Sequence, residues 1–252
     1  DKHEMKDDDK KIMHYVKEIE LNPDNADAHF NLGMHYGKKR RKNDAILEYQ
    51  KAIRLKPDFI EARTRLSQVY GEEQQYNESI AELRKVLEID PKNASAYRNI
   101  GLAYYRMGFL EKALAELKSA LDIAPNDAET HYAMENVLYG MGLHDEAVLE
   151  LKKSIELNPE YKEAYNNLGF IYYERGMIDE AVEKFRKVIE IDPNFVEAYS
   201  NIGLIYCEKG MFEEAIVILK KAIDINPTFP DAHNNLGYAY WNQGDKDKAM
   251  RE

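Results

Sequence analysis

Apolar positions return every three or four residues within short segments of this chain, and the whole arrangement returns every 34 residues. In "EAYNNLGFIYYERG" (163–176), Tyr165, Leu168, Gly169 and Tyr172 alternate with Glu163, Asn167 and Glu174. At ~100° per residue about a helix axis, the first set clusters between ~300° and ~40° of Tyr165, while Glu163, Asn167, Phe170 and Glu174 fall between ~140° and ~200°. That spread predicts an amphipathic helix over about 162–175, with the first set facing a partner. Gly176 then ends it in the left-handed conformation of a helix C-cap. A second helix is predicted over about 178–191, closed by Pro193, which cannot continue a helix interior.

The same pair of helices recurs along the chain. Prolines stand at 23, 57, 91, 125, 159, 193 and 227, always 34 apart. Gly33, Gly101, Gly169, Gly203 and Gly237 share one phase, and Ala45, Ala113, Ala147, Ala181, Ala215 and Ala249 another. Gly169 and Ala181 mark where the two helices of a hairpin approach, since a large side chain would force them apart. A fixed period of this size means a repeat solenoid. Six complete repeats fill 26–229, an incomplete seventh fills 230–252, and residues 1–25 form a tail and a capping half-repeat. Lys11 and Glu18 there replace alanines, as suits a terminal helix with one bare side. Arg63 and Ser67 in the second repeat, and Glu135 in the fourth, replace packing residues and predict looser packing.

The residues Tyr165, Leu168, Gly169, Tyr172, Ala181, Phe185 and Pro193, with their counterparts, resemble the tetratricopeptide repeat family over nearly the whole chain. The resemblance implies an all-α, right-handed superhelical solenoid of antiparallel helix hairpins. It also implies that a peptide or protein is bound in the concave groove, and that the chain is not an enzyme.

The outward columns of the first helices then become the candidate surface. One column reads Asn31, Arg65, Asn99, Ala133, Asn167, Asn201, Asn235, and the next Met34, Gln68, Leu102, Asn136, Phe170, Leu204, Tyr238. A third brings Glu163, Glu197 and Asp231 to one side of the last repeats. At the edge stand Gly37, Gly71, Tyr105, Tyr139, Tyr173, Cys207 and Trp241. Recurring apolar residues on a face that ought to be solvated mark a binding surface, unless they pack on a neighbouring repeat. A carboxamide both donates and accepts, so a row of asparagines can hold an extended backbone, or simply pair with its neighbours. The row is similar to the asparagine ladder in the tetratricopeptide arm of O-linked N-acetylglucosamine transferases. The expected peptide groove is Asn99, Leu102, Tyr105, Glu163, Asn167, Phe170, Tyr173, Glu197, Asn201, Leu204, Asp231, Asn235, Tyr238 and Trp241. Arg98 and Arg106 reverse the sign near the third repeat and predict an acidic residue at that end of the ligand.

Composition narrows the partner. The 252 residues carry a formal charge of −11, which argues against nucleic acid and anionic membrane as main partners. No apolar run is long enough to span a bilayer, and no signal-peptide core is visible. One cysteine, Cys207, excludes an intrachain disulfide framework. The chain opens on Asp1, which leaves room for a removed signal or anchor, and "KDDDK" (6–10) reads as a solvated charge cluster or a tag remnant. "KKRRK" (38–42) reads as a solvated inter-helix turn. His29, His131 and His233 occupy the Tyr165 column in separate layers and are expected in the core, not on a metal. His3 and Glu4 beside Asp7–Asp9 would hold a cation only weakly. Cys207 has no base beside it, and no phosphate loop or zinc motif appears. The Lys, Asn and Arg set of a co-chaperone carboxylate clamp is missing. No catalytic residue, metal or cofactor is expected.

The reading is a non-enzymatic interaction scaffold in the cytoplasm, holding a protein or peptide segment between the third and seventh repeats. The rivals are the targeting arm of a larger enzyme, such as a glycosyltransferase, and self-assembly into homo-oligomers through uncapped solenoid ends.

Overall fold

A computed structural model of the chain describes residues 2–252, with side chains from residue 7 onward. His3 and Glu4 therefore lie outside the described side chains. The described residues are helical throughout and fall into two compact units, Asp1–Met141 and Gly142–Glu252. The first contains α1 (Lys2–Leu21), α2 (Ala26–Lys38), α3 (Lys42–Leu55), α4 (Ile60–Glu72), α5 (Tyr76–Ile89), α6 (Ala94–Arg106), α7 (Leu110–Ile123) and α8 (Ala128–Gly140). The second contains α9 (His144–Leu157), α10 (Lys162–Glu174), α11 (Ile178–Ile191), α12 (Val196–Glu208), α13 (Phe212–Ile225), α14 (Pro230–Gln243) and a short α15 (Lys246–Ala249).

Hairpins close on the small residues. A Cβ added to Gly101 would stand 2.8 Å from Leu117, and one on Gly169 2.9 Å from Phe185. The core lies largely between hairpins. Ala198, Ile202 and Ile205 of α12 share a cluster with Ala181, Phe185 and Val188 of the preceding α11. Ala232, Leu236 and Ala239 of α14 do the same with Ala215, Leu219 and Ala222 of α13. In the first unit, Ala96 and Ile100 meet Leu83 and Val86. Burying each large side chain of these sets contributes roughly 1.5–3 kcal/mol. The buried stripe of α10 thus includes Ala164 and Ile171 beside Leu168 and Gly169, where the angular reading placed only the hairpin contacts. Tyr172, read as core, is half-buried, and so is Tyr173, read as edge; both pack on the same cluster.

A second device joins successive repeats. At several repeats the side chain six residues after the proline bonds that proline's carbonyl: His29 to Pro23 at 3.1 Å, Tyr199 to Pro193 at 3.0 Å and His233 to Pro227 at 2.9 Å. His131 reaches Pro125 at 3.1 Å. Arg63 does the same from Nε and Nη2 to Pro57, at 3.1 and 2.9 Å, and adds an ion pair to Glu82 at 2.6 Å. At Arg63 the guanidinium thus replaces a hydroxyl or imidazole as donor. Ser67 is buried and donates to the Thr64 carbonyl at 2.7 Å, and Glu135 is buried too.

The acidic run at the start is not merely solvated. Asp8 bonds His35 Nδ1 at 2.7 Å, Asp9 pairs with Lys39, and the Tyr15 ring stacks 5.7 Å from His35, so α1 is anchored on α2. The basic turn is equally tied down. Arg41 lies 2.7 Å from Asp44 and over the Tyr36 ring, and Lys42 pairs with Glu73 at 2.7 Å.

Candidate functional site

In the second unit, each first helix buries one face in the core and leaves a strip on the opposite face open. On α10 that strip carries Glu163, Asn167, Phe170 and Tyr173; on α12, Glu197, Asn201 and Leu204; on α14, Asp231, Asn235, Tyr238 and Trp241. Phe170, Tyr238 and Trp241 are 43%, 54% and 57% exposed. Glu197 and Asp231 are exposed, and Glu163, Asn167, Tyr173, Asn201, Leu204 and Asn235 half-buried. None of these residues is in the core.

Phe170, Tyr173, Asn201 and Leu204 converge over Phe185 and Ile205 around a cavity of about 30 Å³. That is a dimple with an apolar floor, no larger than a single water's share of liquid. Its rim is held in place: the Tyr173 hydroxyl donates to Glu208 at 2.6 Å, and that bond, with burial second, pushes the phenol up to about 12. Asn201 Nδ2 donates to Asn166 Oδ1 at 3.4 Å, a long and weak bond. The Asn235 side chain makes no hydrogen bond among the described residues, which leaves its amide able to donate and accept. At the end of this unit a wider cleft of about 710 Å³ lies beside Tyr238, Trp241 and Met250.

Cys207 departs from its column. It is buried, with Sγ 3.7 Å from the Asn235 carbonyl. Burial pushes its thiol up to about 11, the opposite of an activated cysteine. Among the described residues no group of three His, Cys, Asp or Glu side chains is placed to hold a metal, and no helix is long and apolar enough to cross a membrane.

In the first unit, Asn99, Leu102 and Tyr105 are half-buried on α6. Arg98, expected to meet an acidic ligand residue, is already engaged with Asp127 and, at 2.8 Å, with Glu129. That expectation fails for Arg98, because its charge is spent inside the protein; Arg106 stays exposed. Two cavities of about 220 Å³ each were not foreseen. One is lined by Met34, Gly37, Tyr49 and Arg65, and the other by Ser67, Gly71, Ser79, Asn99, Leu102 and Arg106, with Gln68 shared. The signal was in the edge column: glycine stands at 37 and 71 where the next three repeats carry tyrosine.

Comparisons with known proteins agree with the repeat. A family model described as TPR repeat matches residues 68–108, 136–176, 171–210 and 203–244, and one described as tetratricopeptide repeat matches 26–59 and 94–127. No curated protein matches the chain. Among solved structures, MamA is 28% identical, with a TM-score of 0.55 over 64% of this chain and 95% of its own. YrrB, described as a TPR protein with an unusual peptide-binding site, is 28% identical, with a TM-score of 0.54 over 73% of this chain and 95% of its own. The anaphase-promoting-complex assembly Cut9–Hcn1 is 18% identical and superposes at 0.76 over 94% of this chain, which spans 47% of that one, a likeness of fold alone.

Proposed function

The chain belongs to the tetratricopeptide repeat family, and from that premise we propose that it is a binding scaffold without chemistry of its own. Its second unit takes an extended protein segment along the open strip of α10, α12 and α14. One observation carries the reading: Phe170, Leu204 and Tyr238, with Trp241 at the edge, repeat an apolar side chain on a face whose other columns are acidic or amide. A strip kept only for solubility would be charged throughout. The apolar row supplies anchors, Asn201 and Asn235 grip backbone, and Glu163, Glu197 and Asp231 favour a basic flank. That YrrB is described as having a peptide-binding site supports the class of ligand.

Selection of peptides from a displayed random library on the immobilised chain tests this. The expected consensus is an apolar residue flanked by Lys or Arg. Phe170→Ala with Leu204→Ala should weaken a selected peptide about 30-fold or more, as for a pair of anchor residues, with little change in melting temperature. Selected peptides that lack an apolar residue, or that bind the double variant equally well, would rule the strip out.

A further inference from the structure

The first unit holds a polar cavity of a kind the second unit's strip does not. Between α2 and α4, above α3, about 220 Å³ opens where Gly37 presents no side chain. A Cβ on Gly37 would meet only the Tyr49 hydroxyl, 3.9 Å away. Tyr49 itself is 3% exposed, its ring packed with Ala45, Leu66 and Val69. Its hydroxyl has no hydrogen-bond partner among the described residues. No fully enclosed side-chain polar atom lacks a partner, so this hydroxyl must open onto the cavity it lines. A phenol so deep ordinarily finds an acceptor within the protein. Burial pushes it up to about 12, and the nearby Arg65 charge acts on it in the opposite sense. It is therefore a donor at any physiological pH, with a guanidinium beside it.

The remaining charges leave the cavity positive. Lys42 is taken up by Glu72 at 3.3 Å and Glu73 at 2.7 Å. Arg65 gives Nη1 to Gln68 Oε1 at 3.1 Å, which orients the guanidinium without neutralising it. Lys38 stands exposed at the rim with no ion pair among the described residues. An apolar guest would leave the Tyr49 hydroxyl unpaired and strip water from Arg65, both costly.

We propose that this cavity takes the side-chain carboxylate of an acidic peptide segment, with Tyr49 donating to one oxygen and Arg65 and Lys38 supplying the charge. Arg65 and Tyr49 thus act as a charge-assisted pair of donors, stronger than a neutral pair. The segment continues over Gln68 toward the neighbouring cavity, where Arg106 is exposed. This site stands or falls independently of the Phe170–Leu204 strip, because the two share no residue.

The test is NMR on the full chain with labelled methionine and valine methyls, since Met34 and Val69 line the cavity. The probe is acetyl-Ala-Ala-Glu-Ala-Ala-amide, against the same peptide with glutamine. Saturable shifts of the Met34 and Val69 methyls are expected, with the glutamine peptide roughly tenfold weaker or more, the weight of one hydrogen bond to a charged group. Tyr49→Phe keeps the packing and should lose a similar factor, as should the surface change Arg65→Gln. Gly37→Tyr, which places the side chain found at Tyr105 and Tyr173, should plug the cavity and abolish the shifts. If Gly37→Tyr does not fold, Arg65→Gln decides. Equal binding of the two peptides, the absence of saturable shifts, or undiminished binding by Tyr49→Phe or Arg65→Gln would overturn the proposal. So would a preference for a peptide whose only carboxylate is its C-terminus.

Discussion

Where the first unit carries Gly37 and Gly71, the second carries Tyr173, Cys207 and Trp241 at the corresponding places in its repeats. The consequence is volume. Cavities of about 220 Å³ open beside each of the two glycines, against about 30 Å³ beside Tyr173, while the cleft of about 710 Å³ beside Trp241 belongs to the end of the last repeat. Charge follows the same division, with Lys38, Arg65 and Arg106 exposed by the open cavities and Glu163, Glu197 and Asp231 along the filled strip. One repeat frame therefore yields two kinds of surface by changing the edge column and its neighbours, helped in the second repeat by Ser67 and Ser79 in the hairpin-closing columns. The glycines themselves are of two kinds. Gly203 is a point of closure, where a Cβ would overlap Leu219, whereas Gly37 faces open space.

The largest effect should come from treating these glycines alike. Gly203→Ala drives a methyl into a fully buried Leu219 and should cost about 1–3 kcal/mol, as overpacking does. Gly37→Ala should instead stabilise by roughly 0.5–1 kcal/mol, since alanine is the better helix former and nothing obstructs it. Urea denaturation of both variants measures the pair, and two losses of equal size would break the distinction between closed and open glycines.

A smaller effect separates the helix ends. The left-handed turn residue is Gly142, Gly176 and Gly210 in the second unit, at φ of 77°, 73° and 72°, but Arg40 and Gln74 in the first two repeats, at 58° and 59°. A side chain in that region is strained by about 1–2 kcal/mol. Part of that is regained through the extra freedom glycine has when unfolded, so Arg40→Gly and Gln74→Gly should each raise stability by about 0.5–1 kcal/mol. Gly176→Ala should lower it by a similar amount. Thermal melts of the three variants check the signs.

The smallest signal is expected from Cys207. Its thiol is raised from 9.0 to about 11, which cuts the thiolate fraction near pH 8 by roughly a hundredfold. Alkylation of the native chain should be slow, and fast after unfolding in urea. Because the folded value is the higher one, the stabilisation is complete below about pH 9 and is lost as pH rises through about 11. Cys207→Ala should flatten that alkaline decline, and an unchanged slope would assign it to other groups.

The period, the helix pairs and the outward position of Phe170, Tyr238 and Trp241 were legible in the sequence, because they depend on helical geometry alone. The inter-hairpin core was less so. Ala164 and Ile171 look neutral in a single helix, and their burial appears only when the preceding second helix is in place. Arg63 shows a different limit. By residue type it breaks the column, yet by donor geometry it serves the same carbonyl as His29 and Tyr199. Arg98 was misjudged because its partners, Asp127 and Glu129, belong to the next repeat. The cavities were hinted at only by the glycines at 37 and 71, and took shape once Gly37 and Tyr49, on different helices, were brought face to face.

The cores that join each first helix to the second helix before it give every unit a direction. During synthesis α11 emerges from the ribosome with Ala181, Phe185 and Val188 covered only on the side of α10, and their other side stays open until Ala198, Ile202 and Ile205 follow on α12. Each hairpin is thus a template for its successor. A ribosome that pauses within α12 would display a sticky apolar face, whereas one that pauses just after it would display a largely finished surface. Pausing cost along this message should therefore rise and fall with the same period as its prolines.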